Sequence, residues 1–494
     1  MATKTLTKPQ SATARNASDA KAKCAAAREL ESAGDYEGAR EALAGIWDEF
    51  GERPATDGLR AEVEGEVLLR VGTIAGWLGT SRQIPGAQEF AKDLISESMR
   101  TFEALGDQDK VAEAKTDLAI CYWREGAMDE ARVWFREAQA CAVSPSNQLR
   151  VLVNSTIVES SSRRLDDALA LLDRAAPLLD HVEDPAIKAR YHTQRAIILM
   201  QVGGTENLDR ALIENAAASL YFEQANHKRY FARVENNTGI IFLQLRRYED
   251  ALEHLDRARQ TLADLDDVGT LAQVNETRAQ VFLALDSYVE AEKIAFAAAS
   301  ALEAGGEQSL LAEALVTQGV ALARMGRYES ARAVLERAAQ VAEGAGHSEF
   351  SGRTFLTMLE ELRHFLSPRE IIDLYQQADK RLGRELNAET VDRLRGAARM
   401  VAANTAGAST IPFADSSSLE KEVLKFEGEW IRRALDQAQG SVTRAAKLLG
   451  LTHQGLCYII NTRHKSLLTA RAPVRIRRKS IIKKPRAKRL TMNH

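Results

Sequence analysis

Six residues between Thr452 and Asn461 have side chains suited to reading polar edges. Gln454 and Asn461 each carry an amide, a donor beside an acceptor, the pattern that pairs bidentately with adenine. Thr452, His453, Cys457 and Tyr458 add hydroxyl, imidazole, thiol and phenol groups on the same stretch. Just upstream, Arg444 and Lys447 supply cations that suit phosphate oxygens. Downstream, Arg463, Lys465, Arg471, Arg475, Arg477 and Arg478 begin a basic run. From Gln437 to His494 there are 14 Lys and Arg and no Asp or Glu, so this stretch carries +14. The whole chain carries −3, which leaves −17 on residues 1–436. An acidic body with a strongly basic end is the asymmetry expected where one end meets a polyanion.

Three short helices would position those groups. The first spans about 419–438, with Val423, Leu424, Phe426, Trp430, Ile431, Ala434 and Leu435 on its apolar face, and stops at Gln439-Gly440, where glycine suits a left-handed cap. Ser441 stands where it would N-cap a second helix over 442–449, Gly450 permits a sharp turn, and Thr452 would N-cap a third helix reaching Asn461. Ala445 and Ala446 are small where the last two helices meet, and Leu456 and Ile459 are expected on the inner face of the third. This is the pattern of a helix-turn-helix, whose second helix is held out for the major groove.

The order Glu427, Ile431, Ala434-Leu435, Gly440, Thr443, Ala445-Ala446, Leu449-Gly450-Leu451, Leu456 resembles the Fis-type domain that ends many bacterial enhancer-binding activators. The resemblance implies that the last helix pair docks on double-stranded DNA and that the helix over 419–438 supports a homodimer. The chain departs from the family pattern at three places. Ser441 replaces the usual Asn, His453 the usual Arg of the turn, and Gly455 sits inside the third helix, at about 1 kcal/mol relative to Ala.

The long segment ahead is repetitive. Ala39, Ala91, Ala131, Ala168, Ala211, Ala251, Ala291 and Ala331 align, with 40 residues separating the second from the third and each of the last three neighbouring pairs. The clearest unit covers residues 312–342: Leu315, Gly319 and Leu322 on one helix, a turn at Gly326-Arg327-Tyr328, then Ala331, Leu335 and Ala338 on the next. Small residues let two antiparallel helices approach, and large ones fill the gap to the next pair, so pairs must stack to bury their apolar faces. The pattern resembles a tetratricopeptide repeat array of about eight units, with a period nearer 40 than the usual 34 of that family. Segments 51–58 and 79–86 read as longer loops, and GGTENL at 203–208 as an insertion in a turn.

The expected fold is thus all-α: a tetratricopeptide-like α-solenoid followed by a small three-helix helix-turn-helix domain. The expected boundaries are a disordered tail at 1–18, repeats at 19–385, a helix end and flexible linker at 386–418, the Fis-type domain at 419–465 and a basic tail at 466–494. Outward polar positions on the first helices of the pairs, Arg150, Asn154, Arg233, Asn237 and Gln244, are candidates for holding a protein or peptide, because Asn and Arg at such places hold peptide carboxylates in tetratricopeptide relatives.

The absences narrow the field. There is no GxxxxGK[ST], GxGxxG, HExxH, GxSxG or DxDxDG string, so neither an enzyme nor a cofactor is expected. Cys24, Cys121, Cys141 and Cys457 form no CxxC pair, so no metal site is expected either. No run approaches the ~20 apolar residues of a membrane helix, and the first 18 residues lack the apolar core of a secretory signal. The sequence therefore points to a cytoplasmic, nucleoid-associated bacterial transcription regulator: the end module reads DNA and the array binds a protein or peptide. The rival is an interaction scaffold whose basic end binds nucleic acid non-specifically, or RNA.

Overall fold

The computed structural model describes residues 10–82, 84–263, 265, 267–303, 308–383, 386, 388–407 and 419–470, and these contain helices and no strand. They fall into two compact units, one ending at Asn404 and the other beginning at Thr405.

The first unit is a run of helix pairs: α1 (Gln10–Ser32) with α2 (Tyr36–Ala42), α3 (Ala61–Ser81) with α4 (Ala87–Leu105), α5 (Gln108–Arg124) with α6 (Met128–Cys141), α7 (Pro145–Ser161) with α8 (Leu165–Ala175), α9 (Pro185–Val202) with α10 (Thr205–Gln224), α11 (Lys228–Gln244) with α12 (Tyr248–Leu262), α13 (Val268–Ala284) with α14 (Tyr288–Glu303), α15 (Gln308–Arg324) with α16 (Tyr328–Gly344), and α17 (Ser348–Glu361) with α18 (Pro368–Arg381). First helices pack on first helices all along the series, from α1 on α3 to α15 on α17, and form one continuous inner wall.

The eight aligned alanines are all fully buried. Seven of them share a further feature: the residue five positions earlier has a positive φ, at Gly34, Gly86, Gly126, Arg163, Arg246, Asp286 and Gly326. The left-handed residue turns the chain between the two helices of a pair, and the alanine that follows is buried near the start of the second. Two units use glycine on the facing helix for close approach. A Cβ on Gly239 would stand 2.7 Å from Leu255 Cγ, and one on Gly319 2.5 Å from Leu335 Cγ.

Several expectations need correction. The array holds nine pairs among the described residues, and it starts earlier than expected: α1 begins at Gln10, and Ala17 is already buried, so residues 10–18 are helix rather than tail, while 1–9 lie outside the described residues. Gly79 belongs to α3, not to a loop; a Cβ there would overlap the Ala87 side chain at 2.1 Å, so this glycine serves helix approach. The turn before Ala211 is only Gly203-Gly204, and the inserted residues instead lengthen α10 at its start. Finally, the helix end expected within 386–418 is a full helix, α19 (Ala388–Gly407), which reaches four residues into the linker expected at 404–418, and Ala397 packs with Leu359, Leu362 and Ile371 on the last pair. Its alanine-rich sequence is as helix-prone as it is linker-like. Residues 408–418 lie outside the described residues.

Distant pairs also touch. Arg190 of α9 donates to the Ser32 carbonyl at 3.2 Å, and Arg229 of α11 meets Asp35 at 3.0 Å. Arg163, in the α7–α8 turn, meets Glu349 of α17 at 3.7 Å. The last two contacts each join pairs five apart in the series.

Candidate nucleic-acid interface

The second unit contains α20 (Leu419–Gln437), α21 (Val442–Leu448) and α22 (His453–Thr462). Gln439 and Gly440 both have positive φ, and the Gly440 amide returns to the Leu435 carbonyl at 2.8 Å, so α20 ends in the expected left-handed turn. Gly450, at φ 67°, makes the second turn, and Leu451 N–H reaches the Ala446 carbonyl at 2.8 Å. Thr452 caps α22, its Oγ1 accepting from the Gly455 amide at 3.0 Å. Ser441 occupies the N-cap position of α21, but its side chain makes no capping bond.

Ile431, Ala434, Leu435, Ala438, Val442, Ala445, Ala446, Leu456, Ile460 and Leu467 form one core. Leu456 and Ile460 are the fully buried pair on α22, and Ile459, expected on the inner face, packs against the same core. Ile459 is half-buried beside them.

With that stripe inward, His453, Gln454, Tyr458 and Asn461 are exposed on α22, and Arg444 and Lys447 are exposed on α21. Thr452 is exposed too, but its hydroxyl is engaged in the cap. Cys457 is half-buried against the core, with Sγ 3.7 Å from His453 Nε2. Arg463 and Lys465 are exposed just past α22, and Arg463 lies 3.4 Å from Glu427. Arg471, Arg475, Arg477 and Arg478 lie outside the described residues.

The structure adds a feature that the sequence reading assigned to the tail. Residues Lys465–Ala470 form a 3-10 turn that folds back on α20. His464 is buried, its Nε2 2.9 Å from Glu427 Oε2, and Leu467 enters the core. A Cβ on Gly428 would stand 3.0 Å from the His464 ring, so glycine makes room for it. The signal available was Leu467-Leu468 within a polar stretch, two residues that a solvated basic arm does not need. On α20 itself, Val423, Phe426 and Trp430 were expected to face the core but are exposed, with the two rings 6.0 Å apart; the residues that reach the core are Ile431, Ala434 and Leu435.

In the array, the five outward candidates all lie on first helices, Arg150 and Asn154 on α7 and Arg233, Asn237 and Gln244 on α11. Arg233 and Gln244 are exposed and Asn237 is half-buried. Arg150 is held at 3.3 Å by both Glu113 and Asp117, part of a buried ionic network that sequence reading missed. Its centre is Arg70, almost fully buried and bonded to Glu31 and Glu113. Burial alone would raise the Glu113 carboxyl, but Arg70, Arg150, Arg28 and Lys110 outweigh it and hold Glu113 well below the usual range. At Asp117 burial wins over Arg150 and Arg70, and its carboxyl is raised. Among the described residues there is no group of three or more His, Cys, Asp or Glu that could hold a metal ion, and no helix is long and apolar enough to cross a membrane.

Residues 423–458 match the family model described as bacterial regulatory protein, Fis family. No curated protein matches the chain. Among solved structures, it is similar to a Signal Transduction ATPase with Numerous Domains protein with a tetratricopeptide repeat sensor from Pyrococcus horikoshii, 15% identical with a TM-score of 0.47; the match covers 71% of this chain and 52%, about half, of that protein. A Rap protein complexed with Competence and Sporulation Factor is 14% identical with a TM-score of 0.47, over 69% of this chain and 98% of that one. Yeast Tom70 is 12% identical with a TM-score of 0.44, over 78% and 82%. The chain is thus a run of stacked helix pairs like that of tetratricopeptide repeats, each aligned alanine buried, ahead of a three-helix unit whose residues 423–458 are similar to the Fis-family helix-turn-helix.

Proposed function

We propose that the chain is a cytoplasmic bacterial transcription regulator that reads a specific DNA sequence as a homodimer and is controlled by a protein or peptide bound to its array. The observation that carries the reading is the exposed row His453, Gln454, Tyr458 and Asn461 on α22, set over the buried pair Leu456 and Ile460 and flanked by the exposed cations Arg444 and Lys447. The amides suit base edges and the cations suit phosphates. Dimerisation is favoured by the exposed Val423, Phe426 and Trp430, which lie along one face of α20 at spacings of three and four with no core to cover them. The array contributes binding rather than chemistry, through Asn154, Arg233, Asn237 and Gln244 on its inner wall. The chain acts on no substrate and needs no cofactor.

The test is selection of binding sites from a random duplex pool by the full chain at near-physiological salt. Enrichment of one sequence, abolished by Gln454→Ala with Asn461→Ala, supports the regulator. Equal retention of any duplex, RNA or heparin overturns it in favour of a scaffold with a non-specific basic end.

A further inference from the structure

Between α1, α7 and α9 the inner wall forms a half-open cavity of about 120 Å³, lined among others by Ser32, Arg150, Asn154, Asp184 and Arg190. Its donors and acceptors are unequally used. The acceptors are partly engaged: Glu31 is bonded to Arg70, and Asp184 caps α9 with one oxygen, accepting from the Ala186 amide at 2.8 Å. The donors are not. Arg190 has no carboxylate within 4 Å among the described residues; its guanidinium makes one hydrogen bond, to the Ser32 carbonyl, and lies 5.2 Å from the Tyr230 ring centroid. A guanidinium has five N–H donors, so most of them stay unassigned. The Asn154 side chain makes no hydrogen bond among the described residues, and Arg150 reaches its two carboxylates only at 3.3 Å. The other two arginines of the lining, Arg28 and Arg70, are paired with Glu66 and Glu113.

We propose that this cavity is a binding site for a small oxyanion, held by Arg190 and Asn154 with Arg150 beside them. A cation would find the acceptors partly engaged and face a surplus of donors; an oxyanion would accept from those same donors. Arginine suits it because its planar fork matches carboxylate and phosphate oxygens. The volume sets the size. The space is several times what a single ordered water needs, so it admits a group such as inorganic phosphate or one end of a short dicarboxylate. The site draws on pair 1 through Ser32, pair 4 through Arg150 and Asn154, and pair 5 through Arg190. It shares Arg150 and Asn154 with the reading of the array as a peptide-binding surface, and Arg190, outside that reading, tells the two apart.

The experiment is thermal unfolding of the full chain with increasing inorganic phosphate or succinate, against sodium chloride at matched ionic strength. A saturable rise in Tm is expected with at least one of the two, because a ligand that binds only the folded chain stabilises it by mass action. Phosphate alone assigns the site to phosphate, and succinate alone to a carboxylate. Arg190→Gln should weaken the effect at least about tenfold in half-saturating concentration, the loss expected for a charge-assisted bond. Asn154→Ala, at a residue with no partner to lose, should weaken it without lowering the Tm of the ligand-free protein. No rise beyond the chloride control, or a rise left unchanged by both variants, overturns the proposal.

Discussion

His464 Nε2 lies 2.9 Å from Glu427 Oε2, and this pair closes the segment after α22 onto α20. With Leu467 it makes residues past the third helix part of the module's core. Leu467→Ala should destabilise the module by about 2–4 kcal/mol. Glu427→Gln should cost at most about 1 kcal/mol, since the carboxylate is partly solvated. Hydrogen exchange of α20 amides checks both, and unchanged protection in Leu467→Ala would show that the fold-back carries no stability.

Single substitutions on the interface should separate affinity from sequence choice. Lys447→Ala should weaken all duplexes alike and reduce the slope of log K against log salt by about 0.9. Gln454→Ala should cost about 1–3 kcal/mol on the preferred sequence and little on others. Binding isotherms at several salt concentrations measure both.

Gly319→Ala decides between two opposing effects. Helix propensity favours alanine by about 1 kcal/mol. The new Cβ would stand 2.5 Å from Leu335 Cγ inside a packed pair, and such overpacking typically costs about 1–3 kcal/mol. Crowding against a fully buried leucine should win, and the variant should unfold at lower temperature.

Arg246→Gly should do the opposite. Arg246 holds φ at 59°, where a side chain is strained, and its residue is exposed at the end of α11. Relief of that strain, less the entropy glycine adds to the unfolded chain, should stabilise by up to about 1 kcal/mol. A lower Tm would mean that its side chain contributes more than its backbone loses.

The array should also lose stability as pH rises through neutrality. Burial pushes the Glu313 carboxyl to about 7, with Glu276 adding to the shift and Arg353 opposing it. Burial likewise raises Glu276, whose oxygens accept from Thr317 and Gln280. A raised carboxyl favours the folded state fully below its unfolded pKa of about 4.3, and that contribution disappears as pH climbs through the folded value. Glu313→Gln should therefore flatten the fall between about pH 4.5 and 7 and stabilise the protein above pH 7 by about 1–3 kcal/mol. Urea unfolding at pH 5, 6, 7 and 8 tests it.

What was legible in the sequence follows from where one residue type has no substitute. The aligned alanines stand near the start of the second helix of each pair, and every one is fully buried. Gly440 and Gly450 stand where the chain must turn left-handed, and both do. Glycine inside a helix was less readable, because Gly79 serves close approach yet looks like a breaker. Ile460 was missed beside Ile459 because, in a short helix, spacings of three and four both fit one face. The Arg70–Glu31–Glu113 network was invisible because its members are 39 and 43 residues from Arg70, and nothing local distinguishes them from solvated charges. The length of α19 was less readable, because its alanines suit a helix and a linker equally.

The contacts of Asp35 with Arg229 and of Arg163 with Glu349 join pairs five apart, and this constrains how the chain can change over evolutionary time. Repeat proteins ordinarily gain and lose whole units by duplication and deletion, since each unit touches only its neighbours. Here, inserting or removing one unit between pairs 1 and 6, or between pairs 4 and 9, would separate partners that now meet. The number of units is thereby fixed by phase, and variation should enter through loop length and side chains instead.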